Sequence, residues 1–244
     1  MTLNYFDIFN GIIGIIAIII CFYVAIRILI RGFEFREKNL ILVGITGFLM
    51  SEPWWPSIIS FLLDLSFGIR LPDPVAHIIG IVLQPLGIFT WLAAFTDLIY
   101  KKQQRPILIL FAIYSIIFEI VFFVVISHDP PLLGTFYGIS SALIPMGFML
   151  TFLIIILTTC LLFARESMKA DTQDIKMKGK LIAYAIVSFC IAATIDAIIL
   201  LLNLYKFLQL VNRIILISSA ITFYGGFLLP EWMKKILIKT KNDE

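Results

Sequence analysis

Carboxyl groups that sit inside stretches otherwise apolar include Glu52, Asp97, Glu119 and Asp196. An acid at bilayer depth costs at least ~2.5–3.5 kcal/mol on insertion scales, so such residues usually face a protein interior and hold a proton, a cation or a polar ligand. Glu52 has the most unusual setting, Met50-Ser-Glu-Pro-Trp-Trp-Pro-Ser57. Pro53 and Pro56 each remove a backbone donor and crowd the preceding turn, so a helix running through them should kink or open. Non-helical backbone at that depth needs protein or water over its freed carbonyls. Glu52, those carbonyls and the indole N–H groups of Trp54 and Trp55 therefore converge on one spot.

Other polar residues could join it. Gln84 precedes Pro85 midway along another apolar run, and Glu119 lies midway along the next. Asp196 and Arg213 fall in consecutive runs at similar depth and could form a buried ion pair, which is as often a latch as a ligand contact. Asp97 has a simpler reading, since it lies four residues before Lys101 and an i,i+4 pair accounts for it. The expected ligand or ion cavity is thus lined by Glu52, Trp54, Trp55, Gln84, Glu119, Asp196 and Arg213.

The elements that must carry these groups follow from composition. Of the 244 residues 61% are hydrophobic and 14% charged, far from the usage of a water-soluble domain. A bilayer core of ~30 Å needs about 20 apolar residues in a helix. Seven stretches qualify: Ile8–Ile30, Leu40–Phe67, Val75–Tyr100, Ile107–Ser127, Thr135–Phe163, Leu181–Leu202 and Leu210–Leu229. None alternates with period two, so an all-α bundle of seven transmembrane helices is predicted, with the second helix broken at Pro53–Pro56. The first run lacks a basic leader and a small-residue cleavage site, and reads as a permanent span.

Lys and Arg crowd alternate connections. Arg31 to Asn39, Lys101 to Pro106, Arg165 to Lys180 and the segment from Glu231 are basic, whereas only Arg70, Lys206 and Arg213 fall on the other side. The positive-inside rule then places the N-terminus outside and the C-terminus in the cytoplasm of a multi-pass cell-membrane protein. Residues 1–230 form the membrane domain. The segment 231–244 reads as a short basic interfacial helix, on which Trp232, Met233, Ile236 and Leu237 share a face.

In count and orientation alone, these spans resemble the seven-helix architecture of rhodopsins and G-protein-coupled receptors. The resemblance does not extend to their motifs. Light-sensing rhodopsins hold retinal on a lysine midway along the seventh span, and Ile215 to Tyr224 contains none. The receptors' basic signature at the inner end of the third span is replaced by Leu98-Ile99-Tyr100 after Asp97.

With two histidines, His77 and His128, a zinc site of the seven-helix hydrolase kind is not expected. No phosphate-loop, nucleophile-elbow or zincin motif occurs, so no enzymatic activity, cofactor, metal or nucleic-acid partner is expected. The three cysteines lie in apolar segments and read as buried hydrophobes. The expected role is a receptor-like or sensor-like binding protein with a polar cavity in its outer half. It would signal through a cytoplasmic protein partner docked at 165–180 or 231–244. The alternatives are a proton- or cation-coupled transporter using the same acids, and a structural subunit of a membrane complex.

Overall fold

The computed structural model describes residues 5–133, 143–202 and 206–238. The start of the expected fifth span, Lys239 and Lys241 lie outside this set. The described residues are all-helical, with no strand among them.

The first helix, α1 (Tyr5–Phe35), ends in a reverse turn and leads into α2 (Lys38–Leu49). Arg36 takes a left-handed conformation (φ 55°), and the next amide, Glu37 N–H, reaches back to the Gly32 carbonyl at 2.9 Å. That bond closes a Schellman-type cap of the kind glycine usually supplies. Gly32 itself lets the two helices approach closely, because a Cβ there would lie 2.8 Å from the backbone nitrogen of Ile41.

α2 stops at Leu49, a single 3-10 turn covers Glu52–Trp54, and α3 (Trp55–Phe67) resumes. α4 (Asp73–Ile81) and α5 (Gln84–Ile99) are likewise separated by a short turn ahead of Pro85. The chain continues through α6 (Gln104–His128), α7 (Leu143–Met168), α8 (Gln173–Leu202), α9 (Lys206–Leu228) and the short α10 (Glu231–Leu237).

Among the described residues, six helical stretches are long and apolar enough to cross a membrane: Tyr5–Phe35, Asp73–Ile99, Lys101–His128, Gly147–Met168, Gln173–Ile198 and Leu208–Leu228. α2 and α3, of 12 and 13 residues, are each too short to do so alone.

Packing is ordered around α1, which touches α2 on one side and α9 on the other, while α2 packs on α5 and α8 bridges α7 and α9. The core between them is built from large side chains, with Trp91, Phe122, Phe152 and Ile28 among the most deeply buried. α6 is the peripheral helix. It inserts Phe111, Phe118 and Phe122 and leaves Ile109, Leu110, Ile113, Ile116, Ile117 and Ile120 exposed, a broad apolar face of the sort lipid covers.

Candidate functional site

The sequence-predicted residues do not form one constellation. They divide into a hydrogen-bonded clamp between two broken helices, an indole–carboxylate–guanidinium chain beside it, and a lone acid on α6.

The clamp begins with a shortage of backbone partners. In a continuous helix the Leu49 carbonyl would accept the N–H of residue 53, but Pro53 has none. The side-chain amide of Gln84 donates to that carbonyl at 3.0 Å. Gln84 is 2% exposed and is the first residue of α5, directly after the turn. The same turn interrupts α4, and the N–H of Leu83 donates instead to Glu52 Oε1 at 2.7 Å. Each break therefore supplies what the other lacks. Glu52 is fully buried, and its second oxygen, Oε2, has no hydrogen-bond partner among the described residues. Gly87 brings the backbones together, since a Cβ there would meet Leu49 Cβ at 3.0 Å. One turn along, the hydroxyls of Thr46 and Thr90 lie 2.9 Å apart and tie α2 to α5 again.

Trp54 and Trp55 point apart. Trp55 is half-buried, donates to Ser51 Oγ at 3.0 Å and packs on Phe22 and Phe48. Trp54 is buried and donates its indole N–H to Asp196 Oδ2 at 2.5 Å. The same oxygen accepts from Arg213 Nη1 at 3.1 Å, so one carboxylate of α8 joins the 3-10 turn to α9. Glu119 stands elsewhere, on α6. Its Oε1 and the hydroxyl of Ser115 one turn earlier are buried without hydrogen-bond partners among the described residues.

Two cavities flank this network. The central one, about 80 Å³, is almost wholly apolar and is lined by Trp54, Trp91, Cys160, Phe189 and Phe223 among others. Its polar neighbours are occupied internally. Ser219 donates to the Ala185 carbonyl, and Trp91 donates to Thr159. Of the expected cavity residues only Trp54 lines it.

The second cavity is a polar cleft of about 250 Å³ at the end of the bundle where α1 begins and α3 ends. Arg213 lines it, with Asp7 and Asn10 of α1, Ser57 and Asp64 of α3, and Gln209 of α9. These α1 and α3 residues were not singled out from sequence. Asp7, Asn10 and Asp64 sit at the ends of apolar runs, where polar residues ordinarily mark an interface. The one available signal was Asp64 and Arg70, which flank the turn at Gly68 and pair at 3.0 Å.

At the opposite end, Asp97 pairs with Lys101 at 3.4 Å and also accepts from Asn39 at 2.9 Å, fastening the start of α2 to the end of α5. On α10, Met233 is buried while Trp232 and Ile236 are exposed. Lys234 binds Asp174 at 2.5 Å, and this contact holds its ammonium above the usual lysine pKa. Among the described residues no group of three His, Cys, Asp or Glu is arranged to hold a metal.

Fold and site together define a polytopic α-helical membrane protein whose interior carries a buried polar network. Comparison of the chain with protein-family models, with curated proteins and with solved structures finds no match.

Proposed function

We propose that the chain is a seven-span, receptor-like or sensor-like binding protein of the cell membrane. α2 and α3 together supply the seventh crossing as a single broken span. The N-terminus lies outside and α10 lies in the cytoplasm. This orientation is supported by the clustering of basic segments at one end, where Asn39 meets Asp97 and Lys234 meets Asp174.

One observation carries the functional reading: the chain Arg213–Asp196–Trp54 links the polar cleft to the break in the second span. A ligand that engages Arg213 competes for the charge that holds Asp196, and Asp196 orients the indole of the 3-10 turn. A change at the outer cleft then alters the packing of α2 against α5, which leads through Asn39 and Asp97 to the cytoplasmic end. There, 165–180 or α10 would contact a protein partner. A ligand can shift such an equilibrium only through its differential affinity for the two states, and the shared carboxylate provides that difference.

A second reading is favoured by a separate observation. Among the described residues, Glu52 Oε2 and Glu119 Oε1 are both buried without hydrogen-bond partners, and acids at bilayer depth serve proton- or cation-coupled transporters. Purified protein in proteoliposomes separates the two. Under an imposed pH gradient the binding protein carries no sustained proton current. A sustained current abolished by Glu52→Gln would instead establish the transporter.

A further inference from the structure

The central cavity opens where α1, α2, α5, α7, α8 and α9 meet, and small residues hold it open. Cys21 of α1, Gly47 of α2, Cys160 of α7 and Ala185 of α8 all line it, at positions where longer side chains would close the space. Its volume of about 80 Å³ is several times the ~10–15 Å³ that one water requires. Close-packed interiors keep few voids larger than a water.

The walls nevertheless make no demand for water. Thr46 donates to the Leu42 carbonyl at 2.9 Å, Ser51 to the Phe48 carbonyl at 2.7 Å and Ser219 to the Ala185 carbonyl at 2.8 Å. The indole N–H groups of Trp54 and Trp91 are turned to Asp196 and Thr159. Every hydroxyl and indole on the lining is therefore paired within the protein. What else faces the space is hydrocarbon and the sulfur of Cys21, Met50 and Cys160, which hydrogen-bond weakly. Apolar cavities of this kind stay dry and take up benzene or xenon.

We infer that this cavity is a binding site for a small uncharged molecule without hydrogen-bonding groups, a hydrocarbon no larger than a benzene ring. An apolar cavity of ~150 Å³ accepts benzene, so one of about 80 Å³ sets that ring as the upper limit. The rings of Trp54, Trp91, Phe189 and Phe223 hold the occupant by dispersion. A polar ligand would lose its hydration and find no free partner on these walls. The occupant packs against the indole of Trp54, whose N–H is fixed by Asp196, and so braces the 3-10 turn between α2 and α3. No residue lines both this cavity and the outer cleft, so the two sites stand or fall separately.

The test uses the full chain in detergent micelles, titrated with benzene and, in parallel, with phenol, which keeps the ring and adds one hydroxyl. Benzene at about ten times its half-saturating concentration should raise Tm by about 3–6 °C. Phenol should bind at least ~10-fold more weakly. Cys160→Leu adds bulk to the wall and removes no hydrogen bond of the lining, and it should reduce the benzene response to within about 1 °C. Gly47→Ala provides a second variant that the fold accommodates, since its Cβ would lie 3.4 Å from Phe223 and 3.7 Å from Ala25. It narrows the same space and should weaken benzene ~3-fold or more. Effects of benzene on the micelle itself act equally on all three proteins and cancel in the differences.

A benzene response of the same size in the wild type and both variants would place the solute in the micelle or on the lipid-facing surface and overturn the site. Tighter binding of phenol than of benzene would overturn the apolar ligand class. A lipid or detergent that native mass spectrometry finds bound to the wild type and absent from both variants would make an acyl chain the occupant, and the small hydrocarbon would fall.

Discussion

The clamp between the two broken helices can be taken apart one hydrogen bond at a time. Replacing Glu52 by Leu keeps roughly the same volume and removes the acceptor of the Leu83 N–H, which lies 2.7 Å from Oε1. An orphaned buried donor costs about 1–3 kcal/mol in water-soluble proteins. Polar contacts inside membrane proteins average nearer ~0.6 and reach ~1.7 kcal/mol. The fully buried site argues for the upper part of that range, about 1–2 kcal/mol. For a chain of this size that is a fall in Tm of roughly 2–8 °C.

Glu52→Gln should behave differently, because its amide oxygen still accepts from the Leu83 N–H. Its Tm should lie within about 2 °C of the wild type. Gln84→Leu orphans the Leu49 carbonyl and should cost about as much as Glu52→Leu. The two bonds close one contact, so the double variant should cost less than the sum by ~0.5 kcal/mol or more. The assay is thermal unfolding in a single detergent, followed by size-exclusion recovery and helical circular dichroism. Were Glu52→Gln as damaging as Glu52→Leu, the carboxyl would be needed for its charge, and the clamp would not describe its role.

Three further outcomes follow from other parts of the molecule. A reporter fused after Glu244 should be cytoplasmic and one at the N-terminus external, and opposite labelling at either end refutes the proposed orientation. Arg36→Gly should raise stability by about 0.5–1 kcal/mol, since glycine accepts the left-handed backbone at φ 55° without the Cβ penalty; a loss of stability would show that the arginine side chain matters more than its backbone. Lys234 is raised above the ordinary value of 10.5 mainly by its bond to Asp174. A cation favoured in the folded state contributes fully below its unfolded pKa and loses that contribution as pH rises through the folded value. Protease protection of α10 should therefore hold up to about pH 10.5 and fade above it, and Asp174→Asn should abolish this dependence.

What the sequence made legible was local. Pro53 and Pro56 remove donors by covalent structure, so an interruption near Glu52 could be placed from residue types alone, as could the i,i+4 pair of Asp97 with Lys101. The partners of those groups are separated from them by tens of residues. Nothing in the pattern around Glu52 points to the Leu83 amide, and nothing around Asp97 points to Asn39. Grouping the acids by depth treated one coordinate as if it were three. Glu52, Glu119 and Asp196 project from different elements, the 3-10 turn, α6 and α8, into different surroundings. The outer cleft was missed for the converse reason. Asp7, Asn10 and Asp64 lie at span ends, where hydrophobicity has already fallen and a polar residue carries no surprise.

The clamp also shows why Gln84 belongs with Glu52. Pro53 creates an acceptor without a donor, and the turn before Pro85 creates a donor without an acceptor. An amide and a carboxyl placed at the two turns satisfy both with one contact. A buried carboxyl is costly to keep at this depth, and a neutral acceptor would serve the Leu83 N–H as well. The unpartnered Oε2 is what hydrogen bonding to the backbone leaves unexplained. For that reason Glu52→Gln tests more than stability: if folding survives and proton movement does not, the second oxygen is the functional one.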